Sequence, residues 1–436
     1  MRTPAVLGLL ALLTLPATAA TGDGLALLAE VPSSGGADDL SSRRLASEGR
    51  VFLVSVAAGA IETWPVGAVS EPLVSPGPGT AIRGRAVFGD FDGDGRLDLA
   101  VSVAGGVRAF AGDGAGLFRA ATMIPAEGAR QLAAGDVDGD GRFDLIVAAD
   151  SPGGALLRTF RSLGGFRFDG PRDTPGLPAA VELGSFVAGD LDGDGRSDVI
   201  ASGSSGFSAW ISRGDGTFAL AQAPETPGAV EDAVLSDLDR DGRPDLVLGL
   251  RFLRWTSVAT FHNEGGGQFR AFPRQPSQGT GNGLLAVADL DGDGLPDIAG
   301  VSVTEAPCSR TQVVLQGDGH GGFGSPGLRP FPCVPELAEV SGLAAVDWDD
   351  DGTEELAVRT PRGPVVLGPS RPRYDDVLIV PVLVSTSGVG GVRFESDLLV
   401  TNSGVTPVRL DLRYVATAGG GSGAVAADLA AGAQLR

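Results

Sequence analysis

The sequence predicts an all-β protein, a seven-bladed β-propeller followed by a small β-sandwich. Three observations predict it. A unit of about fifty residues recurs along most of the chain, short Val-rich apolar runs lie between Gly and Asp clusters, and a Gly-rich turn returns at a similar place in each unit.

The repeat is set by a nine-residue acidic pattern found six times: DFDGDGRLD from Asp90, DVDGDGRFD from Asp136, DLDGDGRSD from Asp190, DLDRDGRPD from Asp237, DLDGDGLPD from Asp289 and DWDDDGTEE from Asp347. The starts are 46, 54, 47, 52 and 58 residues apart. Each copy follows a short apolar stretch such as LAAG and leads into another such as LIVAA. Runs this short, rich in Val and bounded by turn residues, read as buried strands.

A second landmark, a Gly-rich turn closing on Phe, follows in five copies, at Phe118, Phe166, Phe218, Phe269 and Phe323. Asp-Gly and Gly-Gly supply the positive φ that tight hairpins need, and the Phe is expected to open the next strand. Four antiparallel strands in each unit is the pattern of a propeller blade.

Six blades carry the acidic loop. A seventh, degenerate blade is expected before Thr80, where RVFLVSVAAGAIETW (50–64) aligns with DLAVSVAGGVRAF (98–110) but has no acidic loop. The copy at Asp347 lacks the Gly-Phe landmark and so a strand, which GLALLAEVP (24–32) is placed to supply. Closure in this way leaves no blade edge unpaired.

Residues 1–20 read as an export signal, with Arg2, the apolar run from Ala5 to Leu15 and small residues at 17–19. The propeller is assigned to 21–370. From Tyr374 the pattern changes to alternating strands without acidic loops, so 374–436 is expected to be the sandwich, which reads as incomplete. Expectations for location are secreted, extracellular or cell-surface, with the periplasm as the alternative. The two cysteines, Cys308 and Cys333, are expected to pair in an oxidising compartment, closing a 25-residue loop.

Composition narrows the partners. Gly 68 and Pro 29 with 43% hydrophobic residues describe a turn-rich folded chain. A formal charge of −21 disfavours nucleic acid and anionic lipid, and no apolar run after the signal is long enough to span a membrane.

The acidic loop has the chemistry of a calcium site, because a hard cation takes six to eight oxygens. Aspartates at positions one, three and five converge short carboxylates on one point: Asp90, Asp92 and Asp94; Asp136, Asp138 and Asp140; Asp190, Asp192 and Asp194; Asp237, Asp239 and Asp241; Asp289, Asp291 and Asp293; Asp347, Asp349 and Asp351. Gly at position six permits the turn. Position seven (Arg96, Arg142, Arg196, Arg243, Leu295, Thr353) offers a backbone carbonyl, and Asp98, Asp144, Asp198, Asp245, Asp297 or Glu355 at position nine closes the set. An EF-hand would need an acidic residue at position twelve, where this chain has Val101, Val147, Ala201, Leu248, Gly300 and Val358. One such loop alone is equally an ordinary Asp/Gly turn; six in one register between strands are not.

These units resemble FG-GAP (VCBS-type) repeats, the family that builds seven-bladed propellers such as the integrin alpha-subunit head. The resemblance covers about residues 37–368. It implies calcium in each loop, about six ions, in a domain that binds proteins or glycans. The C-terminal segment is similar to small Ig-like modules of bacterial exported proteins.

Catalysis is not expected. His262 and His320 are the two histidines, both in or near Gly-rich turns, and no Gly-x-Ser-x-Gly is present. The functional expectation is an exported calcium-stabilised binding or adhesion scaffold whose partner is an extracellular protein or glycan. The alternatives are a calcium-dependent carbohydrate-binding lectin and a catalytic or non-catalytic part of a polysaccharide-degrading enzyme.

Overall fold

The computed structural model describes residues 25–30, 39–44, 51–66, 72–152, 154–177, 183–252, 256–273, 284–303, 310–323, 327–330, 342–348, 353–360 and 363–369, with short strands beyond residue 385. No helix occurs among the described residues. The structure is a β-propeller with six blades of four consecutive antiparallel strands, which span 39–76, 83–125, 129–175, 183–222, 229–271 and 285–330 and are called blades 1 to 6 below.

Blade 2 shows the construction. Its strands are Arg83–Gly89, Asp98–Val103, Gly106–Gly112 and Phe118–Pro125, hydrogen-bonded in that order. The acidic loop joins the first strand to the second, and the Gly-rich turn joins the third to the fourth, so both lie at the same end of the blade. All six residues of Asp98–Val103 are buried, whereas Phe118–Pro125 is largely exposed. The second strand packs on neighbours through both faces, which is why its sequence is a continuous apolar run. The fourth strand sits at the rim and needs no such run.

The apolar clusters lie between blades. Phe91, Val107, Leu145 and Phe160 pack where blades 2 and 3 meet. Leu157, Trp210 and Phe218 do so between blades 3 and 4, and Phe207, Leu246 and Phe269 between blades 4 and 5. Each buried side chain of this size contributes roughly 1.5–3 kcal/mol relative to exposure. The stability of a blade therefore depends on its neighbours.

A further four-stranded sheet draws on both ends of this region. Gly342–Val346, Glu355–Thr360 and Gly363–Pro369 pair in order, and Leu25–Glu30 pairs antiparallel with Gly363–Pro369. The N-terminal stretch thus supplies the strand that the Asp347 unit lacks. Leu356, Val358 and Val365 of this sheet pack on Ala286 and Leu290 of blade 6. Ala344, Trp348 and Val366 pack on Leu53 and Trp64 of blade 1.

The Gly-Phe landmark needs two corrections. Phe118 and Phe218 do open fourth strands, and Phe269 is the second residue of one. In blade 3, however, the strand opens on Phe168, while Phe166 sits in the turn at φ 56°. Phe323 makes only an isolated bridge to Gly317, and its strand begins at Gly327. The turns are equal in length, since Gly112 pairs with Phe118, Ser162 with Phe168, Ser212 with Phe218, Asn263 with Phe269 and Gly317 with Phe323. Blade 3 simply carries a second Phe inside its turn, and in blade 6 the pairing stops at that one bridge.

Residues 23–370 form one compact unit, and the C-terminal strands belong to another. In the latter, Val408–Val415 pairs with Ser422–Leu429, Thr386–Ser387 with Arg393–Phe394, and Val400–Thr401 with Gln434–Leu435, all antiparallel. The expected export signal and the Cys308–Cys333 pair lie outside the described residues.

Candidate metal sites

Each acidic loop is a hairpin connection closed by one strand pair. The residue before position one faces position nine: Gly89 with Asp98, Gly135 with Asp144, Gly189 with Asp198, Ser236 with Asp245, Ala288 with Asp297 and Val346 with Glu355. Inside this closure the position-one carboxylate gathers the turn's amides. Asp90 Oδ1 accepts from Gly93 N at 2.7 Å and Asp94 N at 3.1 Å, and Oδ2 accepts from Gly95 N at 2.8 Å. Asp136, Asp190 and Asp289 repeat all three bonds.

Positions four and six both take positive φ, as at Gly139 (78°) and Gly141 (85°). In the Asp237 loop position four is Arg240, at φ 62°. The sequence reading credited only position six.

The position-nine side chain has a role that the spacing did not disclose. Asp98 is fully buried, and its two oxygens accept from Phe91 N (2.9 Å) in the loop and Gly112 N (3.0 Å) at the end of the third strand. Asp144 clamps Val137 N and Ser162 N, Asp198 clamps Leu191 N and Ser212 N, Asp245 clamps Leu238 N and Asn263 N, and Asp297 clamps Leu290 N and Gly317 N. Glu355 holds Trp348 N at 2.7 Å in the same way. Burial pushes the carboxyls of Asp98, Asp144 and Asp198 up to about 7, and those of Asp245 and Asp297 to about 6, against the pull of the two amides. Burial and the adjacent Asp94 and Asp194 also raise Asp92 and Asp192.

This clamp continues into the neighbouring blade. The Ser162 hydroxyl donates to Phe91 O at 3.1 Å, Ser212 to Val137 O at 2.6 Å, and the Asn263 amide to Leu191 O at 3.1 Å. The residue held by one blade's aspartate therefore holds the loop of the blade before it. The loops also touch directly, through Gly165 N to Asp92 O (2.9 Å) and Ser197 N to Asp136 O (2.6 Å).

The loops are oxygen-rich and fit a hard divalent cation. Carboxylate oxygens of Asp90, Asp92 and Asp94 lie within 4.8 Å of one another, as do those of Asp190, Asp192 and Asp194, of Asp237, Asp239 and Asp241, and of Asp136, Asp138 and Asp144. Asp138 Oδ1 is buried without a hydrogen-bond partner, a lone pair that a cation would satisfy. Asp347, Thr353 and Glu355 are described, whereas Asp349 and Asp351 lie outside the described residues.

The pattern that recurs in space also recurs against known sequences. A family model for the FG-GAP-like repeat matches residues 90–147, 136–201, 190–248 and 237–300. Residues 90–300 carry FG-GAP-like repeats. Each matched segment opens on the first aspartate of one loop and ends in the second strand of the next blade, so the family unit straddles two blades. No curated protein matches the chain. Among solved structures, an Agrocybe aegerita lectin, described as specifically recognising non-reducing terminal N-acetylglucosamine, is similar at 19% identity. The alignment covers 77% of this chain and 91% of the lectin, with a TM-score of 0.49. BBS1N in complex with ARL6DN is similar at 12% identity over 80% of this chain and 98% of its own, with a TM-score of 0.48.

The FG-GAP-like loops also use side chains that sequence reasoning passed over. The position-seven arginines were assigned only a carbonyl, but their guanidinium groups pair with the position-five carboxylates: Arg96 with Asp94 at 3.1 Å, and likewise Arg142 with Asp140, Arg196 with Asp194 and Arg243 with Asp241. Arg142 and Arg243 reach on to the carbonyls of Ser162 and Asn263. A second set comes from the third strand, from the residue before the clamped amide. In blade 3, Arg161 lies 3.0 Å from Asp138 Oδ2; in blade 6, Gln316 donates to Asp291 Oδ2 at 2.6 Å. In blade 5, His262 Nδ1 stands 3.0 Å from Asp239 Oδ2 and 3.3 Å from Asp245 Oδ1. It is not in hydrogen-bond geometry with either. In blades 2 and 4 the same place holds Ala111 and Ile211, which carry no polar side-chain atom. The only sequence signal was a large apolar residue, a variable residue and then Gly, Ser or Asn before the Gly-rich turn, as in FAG (110–112), FRS (160–162), WIS (210–212), FHN (261–263) and LQG (315–317).

Proposed function

We propose that this chain is an exported binding scaffold, a β-propeller whose blade loops take calcium. The observation that carries the reading is the gathering of loop carboxylates within 4.8 Å of one another in blades 2 to 5, each loop with a fully buried position-nine aspartate. Carboxylates held this close repel one another unless protonated or paired with a cation, and an all-oxygen set favours calcium. The ion would supply positive charge and fixed geometry to loops that already bind one another across blades, a structural role and not a catalytic one.

Recognition would then fall to loops presented on a rigid ring, with an extracellular protein or glycan as partner. The apolar N-terminal run ahead of the first strand supports export.

The test is thermal unfolding of the mature protein with calcium and with a chelator, alongside elemental analysis of bound metal. The expected result is a clear rise in melting temperature and several calcium ions per chain; saturation at about a hundred times Kd is worth about 2.7 kcal/mol per site. No bound calcium and no shift would reduce the acidic loops to turns.

A further inference from the structure

We infer that the third-strand residue facing position three grades the loops for calcium, and that Arg161 makes the Asp136 loop the weakest of them. This rests on the calcium reading above and concerns how the loops differ from one another.

The comparison is controlled by the repeat itself. Ala111, Arg161, Ile211 and Gln316 occupy one place in their blades, each followed by the residue whose amide the position-nine aspartate clamps. The backbone frame is the same and the side chain is not. In the Asp90 and Asp190 loops, four aspartates meet one guanidinium, that of Arg96 or Arg196. In the Asp136 loop they meet two, because Arg161 adds its charge to that of Arg142. Arg161 is itself fixed by Asp169 at 2.8 Å, so it is held in place. Gln316 reaches the same carboxylate oxygen in the Asp289 loop but brings no charge.

The Asp136 loop thus keeps an oxygen for a cation, the partnerless Asp138 Oδ1, but a cation arriving there meets a resident guanidinium. An extra unit charge a few ångströms from a divalent ion, at the partly exposed dielectric of a surface loop, weakens binding on the order of tenfold or more. Asp138 also makes a poorer ligand while one of its oxygens is held by Arg161.

The experiment uses calcium alone as the probe, on the full mature chain and two variants. Arg161→Gln gives blade 3 the side chain of blade 6, and Ala111→Arg gives blade 2 that of blade 3. Bound calcium is counted by equilibrium dialysis at a free concentration that leaves the weakest native site empty. The expected result is one ion more for Arg161→Gln and one ion fewer for Ala111→Arg. Melting curves in chelator establish that each variant folds. Equal stoichiometry in a folded Arg161→Gln chain and the parent would overturn the inference while leaving the calcium reading intact. If Arg161→Gln does not fold, Ala111→Arg decides alone, and an unchanged count overturns the inference. A parent chain that binds no calcium would overturn both readings.

Discussion

The hydroxyl of Ser162 donates to the carbonyl of Phe91, 71 residues earlier, at 3.1 Å, while the Ser162 amide is held by Asp144 at 2.7 Å. One residue thus joins the carboxylate of its own blade to the loop of the blade before. Ser212 and Asn263 repeat the arrangement. The acidic loops are therefore nodes of a hydrogen-bonded belt as well as candidate cation sites.

Asp198→Ala removes the acceptor for the amides of Leu191 and Ser212, both buried. Stability is expected to fall by roughly 2 kcal/mol or more, since each stranded buried donor costs about 1–3 kcal/mol. Urea unfolding measures this, with the exposed Asp150→Asn as the control. A loss no larger than the control's would mean that the clamp is not a structural element.

Ser212→Ala takes away the bond to Val137 O and the acceptor used by Gly214 N at 3.1 Å. The expected loss is about 1–2 kcal/mol. Hydrogen exchange should also speed up at blade 3 loop amides as well as in blade 4. Faster exchange confined to blade 4 would show that the belt does not couple neighbours.

Without metal, the protein is expected to lose stability as pH rises from about 4 to about 7. Burial holds the carboxyls of Asp98, Asp144 and Asp198 at about 7 in the folded chain, against an ordinary aspartate value of 3.8. Between these limits the native state binds more protons than the unfolded one. The contribution is full below the lower limit and gone above the upper. Saturating calcium should flatten or reverse the trend by favouring the ionised form. Denaturation midpoints in chelator at about pH 5 and about pH 7.5 check it. Higher stability at the upper pH would contradict the assignment.

Gly141 stands at φ +85° with nothing within 4 Å of where a Cβ would lie. Gly141→Ala should cost about 1–2 kcal/mol through backbone conformation alone. Gly59→Ala, equally open but without positive φ, should cost far less. A comparable loss at the two positions in thermal unfolding would locate the cost elsewhere.

The repeat was legible because a propeller needs the same local solution in each blade. Buried second strands require unbroken apolar runs such as DLIVAA, and the loop before them requires Gly at fixed places. The acidic candidates could be named from spacing for the same reason, as their chemistry is local. Even the strand at Leu25–Glu30 could be assigned, since the Asp347 unit was one strand short.

What the sequence could not show are relations between residues far apart in the chain. That Asp98 is buried and bonded to two amides follows from how strands close around it. That Ser162 reaches Phe91 follows from the blade-to-blade spacing. The residue facing position three varies among Ala, Arg, Ile, His and Gln, so no pattern marks it. Local chemistry and periodicity fixed the blades and the candidate ligands from sequence alone. Which charges meet, and which loops hold one another, was decided by tertiary packing, because electrostatic and hydrogen-bond partners are set by distance in space and not by separation along the chain.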